Sequence, residues 1–125
     1  MTRMLVLCFA VAACGGGGDG DDDPTPDGPV QNATVMSVAC DGTEADTVET
    51  TGGFRFSPMA VTISAGQVVK FTNSPDHSVV PGATPTDPGM QAAASTSTCL
   101  KFTESGNFNY KCFPHSSMTG TITVN

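Results

Sequence analysis

Basic side chains are scarce in this sequence. Lys and Arg number five against twelve Asp and Glu, a formal charge of −7 over 125 residues. With no basic patch to meet phosphates, nucleic-acid binding is excluded. Charged residues of either sign make up only 14%, Trp is absent, and Tyr occurs once. No apolar run is long enough to cross a bilayer as a helix, the opening "MTRMLVLCFAVAAC" included. A calcium loop of the EF-hand kind is missing too. Counted from Asp19, the positions that need Gly and Glu hold Pro24 and Val30.

What is present favours strands and turns. Thr, Ser, Gly and Val are abundant, with 14 Gly and 9 Pro. The length allows one domain. From residue 31 onward, short segments with turns between them predict an all-β fold, an antiparallel sandwich or barrel. Strands are expected over 33–39, within 52–64, and over 67–73, 77–80, 98–103, 107–112 and 119–125. Inward pairs on these strands are Val61 with Ile63, Val69 with Phe71, Leu100 with Phe102, and Ile122 with Val124. Residues 83–96 read as a long connection with room for one helical turn. No other helix is expected.

The first 13 residues carry one early Arg, a short apolar run and then small residues, the pattern of a secretory signal. "VAAC" (residues 11–14) resembles the lipobox of a bacterial lipoprotein. That resemblance implies cleavage before Cys14, a lipid on Cys14, and a place in the envelope of a Gram-negative bacterium, on the periplasmic side or at the cell surface. An ordinary secretory signal cut nearby is the alternative. Residues 14–30 follow as a Gly- and Asp-rich tether, in which 15–29 offer no apolar side chain to anchor it in a core. Five of the twelve acids lie there. The domain at 31–125 keeps seven acids and four bases, a charge near −3.

Cysteine arithmetic points to a site. Cys8 leaves with the signal and Cys14 takes the lipid, so Cys40, Cys99 and Cys112 remain in an oxidising compartment. Three is odd. If Cys112 binds a metal, Cys40 and Cys99 form an even pair and a disulfide; otherwise Cys112 pairs with one of them and the other is free. Period-2 alternation puts Phe108, Tyr110 and Cys112 on one strand face, so the face that buries Phe108 carries the Cys112 sulfur inward. A buried thiolate is costly unless something positive holds it. The chain has two His. His115 stands three residues after Cys112, and Met118 three further on, while His77 lies in "TNSPDHSVVPG". Taken singly, His77 reads as a surface residue at a strand end and Met118 as core. Together with Cys112 and His115 they make the His₂Cys set with a weak axial Met that suits copper as it cycles between Cu(I) and Cu(II). Zinc would accept His₂Cys, but the Met favours copper.

The segments "FSPMAVTISAGQVVKFTN", "DHSVVPG" and "GNFNYKCFPHSSMTGTITV" resemble the cupredoxins, the plastocyanin- and amicyanin-like type 1 blue copper proteins, over roughly residues 54–125. The resemblance implies a Greek-key β-sandwich with one copper ion on His77, Cys112, His115 and Met118. The Cys-x2-His-x2-Met spacing is similar to the short amicyanin loop. Asp76 and Ser78 depart from residues frequent beside the remote His. In the family the backbone N–H at the position of Ser78 serves the thiolate, which Ser can still supply. A dinuclear copper site would need Cys at position 116, which holds Ser116.

Two functions follow from the resemblance. The first is one-electron transfer between redox partners, made by a monomer through an apolar patch of Phe113, Pro114 and Pro81 around His115. The second is copper buffering or delivery in the periplasm, although Met36, Met59 and Met90 are scattered rather than grouped. Enzymatic activity is not expected, since no acid–base pair accompanies the site and four protein ligands leave no open position.

Overall fold

Alternating burial builds nine strands in the computed structural model, which describes residues 33–125. The signal segment, Cys14 and the tether lie outside the described residues. The strands are β1 (Val35–Val38), β2 (Asp46–Thr51), β3 (Arg55–Ser57), β4 (Ala60–Ile63), β5 (Val68–Thr72), β6 (Val80–Pro81), β7 (Ser97–Phe102), β8 (Gly106–Lys111) and β9 (Thr119–Val124). They form a five-stranded sheet in the order β1-β7-β5-β2-β3 and a four-stranded sheet in the order β4-β9-β8-β6. The described residues contain no helix, so the architecture is all-β, with the crossovers between sheets that a Greek key requires. The antiparallel expectation holds for most pairings. β2 with β5 and β4 with β9 run parallel.

The inward pairs read from the sequence are in the core: Val61, Ile63, Val69, Phe71, Leu100, Phe102, Ile122 and Val124 are all buried. Each large side chain of this kind contributes roughly 1.5–3 kcal/mol on burial. Two expectations change. The single strand foreseen within 52–64 is two strands in different sheets, broken at Ser57-Pro58. Pro58 has no N–H to give a ladder, so the chain changes sheets there. β2 was not foreseen at all. Its sequence "DTVETT" is polar, and only Val48 is buried.

The 83–96 connection forms no helical turn. It plugs the sandwich instead, with Met90 and Ala92 buried and Ala92 bridged to Val79. Its anchor is the buried Asp87 carboxylate. That group accepts bonds from the Thr34 N–H and hydroxyl (both 2.9 Å) and from the Gly89 N–H (2.7 Å). A buried carboxylate is tolerated because donors surround it.

Tyr110 sits at the centre of the core, edge-on to Phe56 (4.9 Å between ring centroids) and Phe71 (5.3 Å). Gly120 on the facing strand leaves room for its ring, because a Cβ there would strike the Tyr110 ring and hydroxyl. The hydroxyl is buried without a hydrogen-bond partner among the described residues, and burial raises its pKa well above the ordinary phenol value. The fold therefore favours neutral Tyr110. This contribution is complete below the unfolded-state pKa near 10 and is lost as pH rises toward the folded value. Tyr110→Phe is expected to keep the fold, to gain about 1 kcal/mol at pH 8, and to flatten the loss of stability between pH 9 and 11. Urea titrations of both proteins at the two ends of that range check it; parallel losses would show that Tyr110 is not responsible.

Candidate metal centre

The β8–β9 hairpin closes at the pair Lys111–Thr119, so residues 112–118 are its connecting loop. Cys112, His115 and Met118 are the first, middle and last residues of that loop. Two backbone bonds tighten it, from Cys112 N–H to the Met118 carbonyl and from Met118 N–H to the His115 carbonyl, both 2.9 Å. The β8 parity holds: Phe108, Tyr110 and Cys112 are all buried.

His77 arrives from the other sheet, on the segment that joins β5 to β6. Asn73 fixes the start of that segment, its side-chain amide donating to the carbonyls of Ala92 and Ala93 (3.1 Å each). At the end, β6 pairs Val80 with Lys111. Continuing that antiparallel register sets Ser78 across from Phe113 and draws His77 beside the loop. The Ser78 hydroxyl donates to the Phe113 carbonyl at 2.7 Å, joining the two ligand segments directly. The expected bond from the Ser78 backbone N–H to the thiolate is not formed among the described residues; the residue's contact with the loop is the hydroxyl bond to Phe113.

Three donor atoms converge. Cys112 Sγ lies 3.5 Å from His77 Nδ1 and 3.9 Å from His115 Nδ1, and the two nitrogens are 3.2 Å apart. A triangle of these sides has its centre about 2 Å from every corner, the length of a metal–nitrogen or metal–sulfur bond. His77 and Cys112 are buried and His115 is half-buried. Two facing imidazole nitrogens and a buried sulfur without a cation would leave lone pairs opposed at close range, so the donor set fits a metal ion. Cys112 is the free cysteine among the described residues. Cys40 and Cys99 are joined in a disulfide, as the arithmetic proposed. Their neighbour Glu44 gathers with them, but two bonded sulfurs have no thiolate to offer a metal.

The surface around His115 differs from the expected patch. Phe113 and Pro114 are exposed beside it, but Pro81 lies in β6 opposite Tyr110 and takes no part in the cavity there. The place is taken by Phe54, in the turn between β2 and β3. Its ring meets His115 edge-on at 4.7 Å and His77 at 5.9 Å. Nothing local marked it. A Phe after Gly52-Gly53 reads as the start of a strand, and only the unforeseen β2–β3 hairpin carries it to the site. Met118 is buried at the loop end, in the apolar core cluster with Cys112.

A β-sandwich with no helix among the described residues, and with a His₂Cys triangle of two buried and one half-buried donor, defines a mononuclear metalloprotein of the cupredoxin class. The chain belongs to the plastocyanin/azurin family of copper-binding proteins, whose profile matches residues 43–125. Its cofactor is copper, and family and fold together mark a blue copper electron-transfer protein in general terms. Solved structures agree on the fold. Reduced amicyanin with a tryptophan-to-tyrosine substitution is 18% identical, with a TM-score of 0.60 over 74% of this chain and 99% of its own. Amicyanin from Paracoccus versutus (Thiobacillus versutus) is 20% identical, with a TM-score of 0.59 over the same shares of the two chains.

Proposed function

We propose that the protein is a one-electron carrier of the bacterial cell envelope, with His77, Cys112, His115 and Met118 as the ligands of a type 1 copper. The observation that supports this most is the donor triangle, with His115 at its solvent-facing cavity. Copper, when bound, supplies a one-electron couple. The chain's own residues supply the rest. Cys112 gives a soft thiolate held in the core. His77 is pinned from behind through Asn73 and Ser78, so the donors keep their places when the charge at the centre changes. Such rigidity lowers the rearrangement that accompanies each transfer. His115 gives the electron an exit at the cavity edge. Partners are other redox proteins, and the chain acts as a monomer without enzymatic activity. Cys14 carries the lipid, and the tether lets the domain reach its partners on the periplasmic side or at the cell surface.

Copper buffering or delivery is the weaker reading. Met90 is core, while Met36 in β1 and Met59 between β3 and β4 are exposed, so the thioethers are not gathered for cargo. Voltammetry of the copper-loaded protein separates the two. A reversible one-electron couple with copper retained is expected; ready loss of Cu(I) to a chelator would favour delivery.

The fourth ligand has its own test. Met118→Leu removes a soft donor at nearly constant volume, so packing suffers little. Less stabilisation of Cu(II) raises the reduction potential, and the blue colour stays. Met118→Gln offers an oxygen, which favours Cu(II) and lowers the potential. Three coincident potentials would make Met118 a packing residue only.

A further inference from the structure

The cavity beside His115 has a volume of about 670 Å³. Its lining is apolar or uncharged apart from the two site imidazoles and one carboxylate, Asp76, and it holds no Lys or Arg. Phe54 and Phe113 stand at the cavity, 59% and 70% exposed, two of the four large apolar side chains left in solvent among the described residues. Apolar groups clustered this way mark a contact surface. Phe54 also holds a φ of 54°, a left-handed conformation that a bulky residue adopts only at a cost. That cost holds an aromatic ring out in solvent against the site, where it gains little by burial.

Asp76 decides what fits. Its side chain is exposed and forms no hydrogen bond or ion pair with the other described residues, so its charge is uncommitted. A wholly apolar partner pressed onto Phe54 and Phe113 would strip water from this carboxylate and leave it unpaired, which is unfavourable. A partner that brings a cation removes that penalty and gains from the aromatic rings as well. An anionic surface is rejected by the same charge.

We propose that this cavity is a socket for one basic side chain, an Arg or Lys set in an apolar docking face of the redox partner, with Asp76 as counter-charge and Phe54 and Phe113 as walls. The proposal rests on the electron-carrier reading and adds the partner's chemistry to it. Arg suits the site best, because its planar guanidinium both pairs with a carboxylate and stacks on rings.

The test uses the copper(I)-loaded protein, which is diamagnetic, and two end-blocked tripeptides, Leu-Arg-Leu and its uncharged isostere Leu-citrulline-Leu. Binding is followed by amide chemical shifts. The expected result is shifts confined to Gly52, Phe54, Asp76, Ser78 and Phe113, with the Arg peptide about five-fold tighter than the citrulline peptide, the value of one modest ion pair. Asp76→Asn should erase that preference, and Phe54→Ser should weaken both peptides. Equal affinities for the two peptides, a preference that survives Asp76→Asn, or shifts mapping elsewhere would overturn the socket. None of these readouts involves electron transfer. A protein that fails in voltammetry but discriminates the peptides disproves the carrier reading alone, and the reverse outcome disproves the socket alone.

Discussion

Copper-loaded Cys112→Ser is expected to be colourless where the parent protein is blue. The thiolate is the only soft anionic donor in the triangle, and the intense visible band arises from charge moving from that sulfur to Cu(II). Serine keeps the shape of the side chain, but its hydroxyl does not ionise near neutral pH, so both the band and the main anchoring bond are lost. Two imidazoles at 3.2 Å spacing remain, enough for weak Cu(II) binding with the pale spectrum of nitrogen and oxygen donors. Cu(II) affinity should fall by several orders of magnitude, given that this ligand is the only anion among the four proposed donors. Absorption spectra and competitive copper titrations measure both effects, and circular dichroism checks that the sandwich is intact. A parent protein that binds Cu(II) without colour, or a serine variant that stays blue, would overturn the ligand assignment.

The second large effect concerns stability. Cys40→Ala with Cys99→Ala removes a bond that closes a sequence separation of 59 residues. In the chain-entropy account, a loop of that length is worth about 4 kcal/mol. For a domain of this size the loss corresponds to a fall in Tm of roughly 15–30 °C. Alanine is the right replacement because Cys99 is buried and a serine hydroxyl would add its own penalty. The bond lies on β7 and beyond the end of β1, away from the donor triangle, so the variant that remains folded should bind copper with unchanged colour. Differential scanning calorimetry measures the stability. A drop of only a few degrees would show that the reduced chain is already constrained in its unfolded state.

The site was more legible than the scaffold that carries it. Cys112, His115 and Met118 lie within one loop, and the parity of Phe108, Tyr110 and Cys112 is a local property of one strand, so both can be read from a short stretch of sequence. His77 was found because the chain has only two His and needed a second imidazole. What escaped was non-local. β2 owes its existence to a parallel partnership with β5, and its polar residues "DTVETT" give no alternation to detect. Phe54 follows from β2 and was lost with it; Pro81 was credited with its place on the rim. The break at Pro58 was hidden by apolar residues on both sides, Phe56 before it and Val61 after it. The 83–96 connection looks like a loop by composition. It earns its order through Asp87 and Met90, whose partners are distant in sequence.

The position of the disulfide has a mechanical meaning. β1 is the edge of its sheet, the first strand met by any pull on the N-terminal side of the chain, and it is held by one neighbour, β7. Under load it can peel residue by residue from Val35 toward Val38. The peel then reaches Cys40, where a covalent link to Cys99 passes the force into β7, the next strand inward, which is paired on both sides. The domain thus has a sacrificial edge and a hard stop. Tension can strip a few residues at its rim, and the copper ligands, which all lie beyond Cys40 in the chain, stay unloaded until β7 itself gives way.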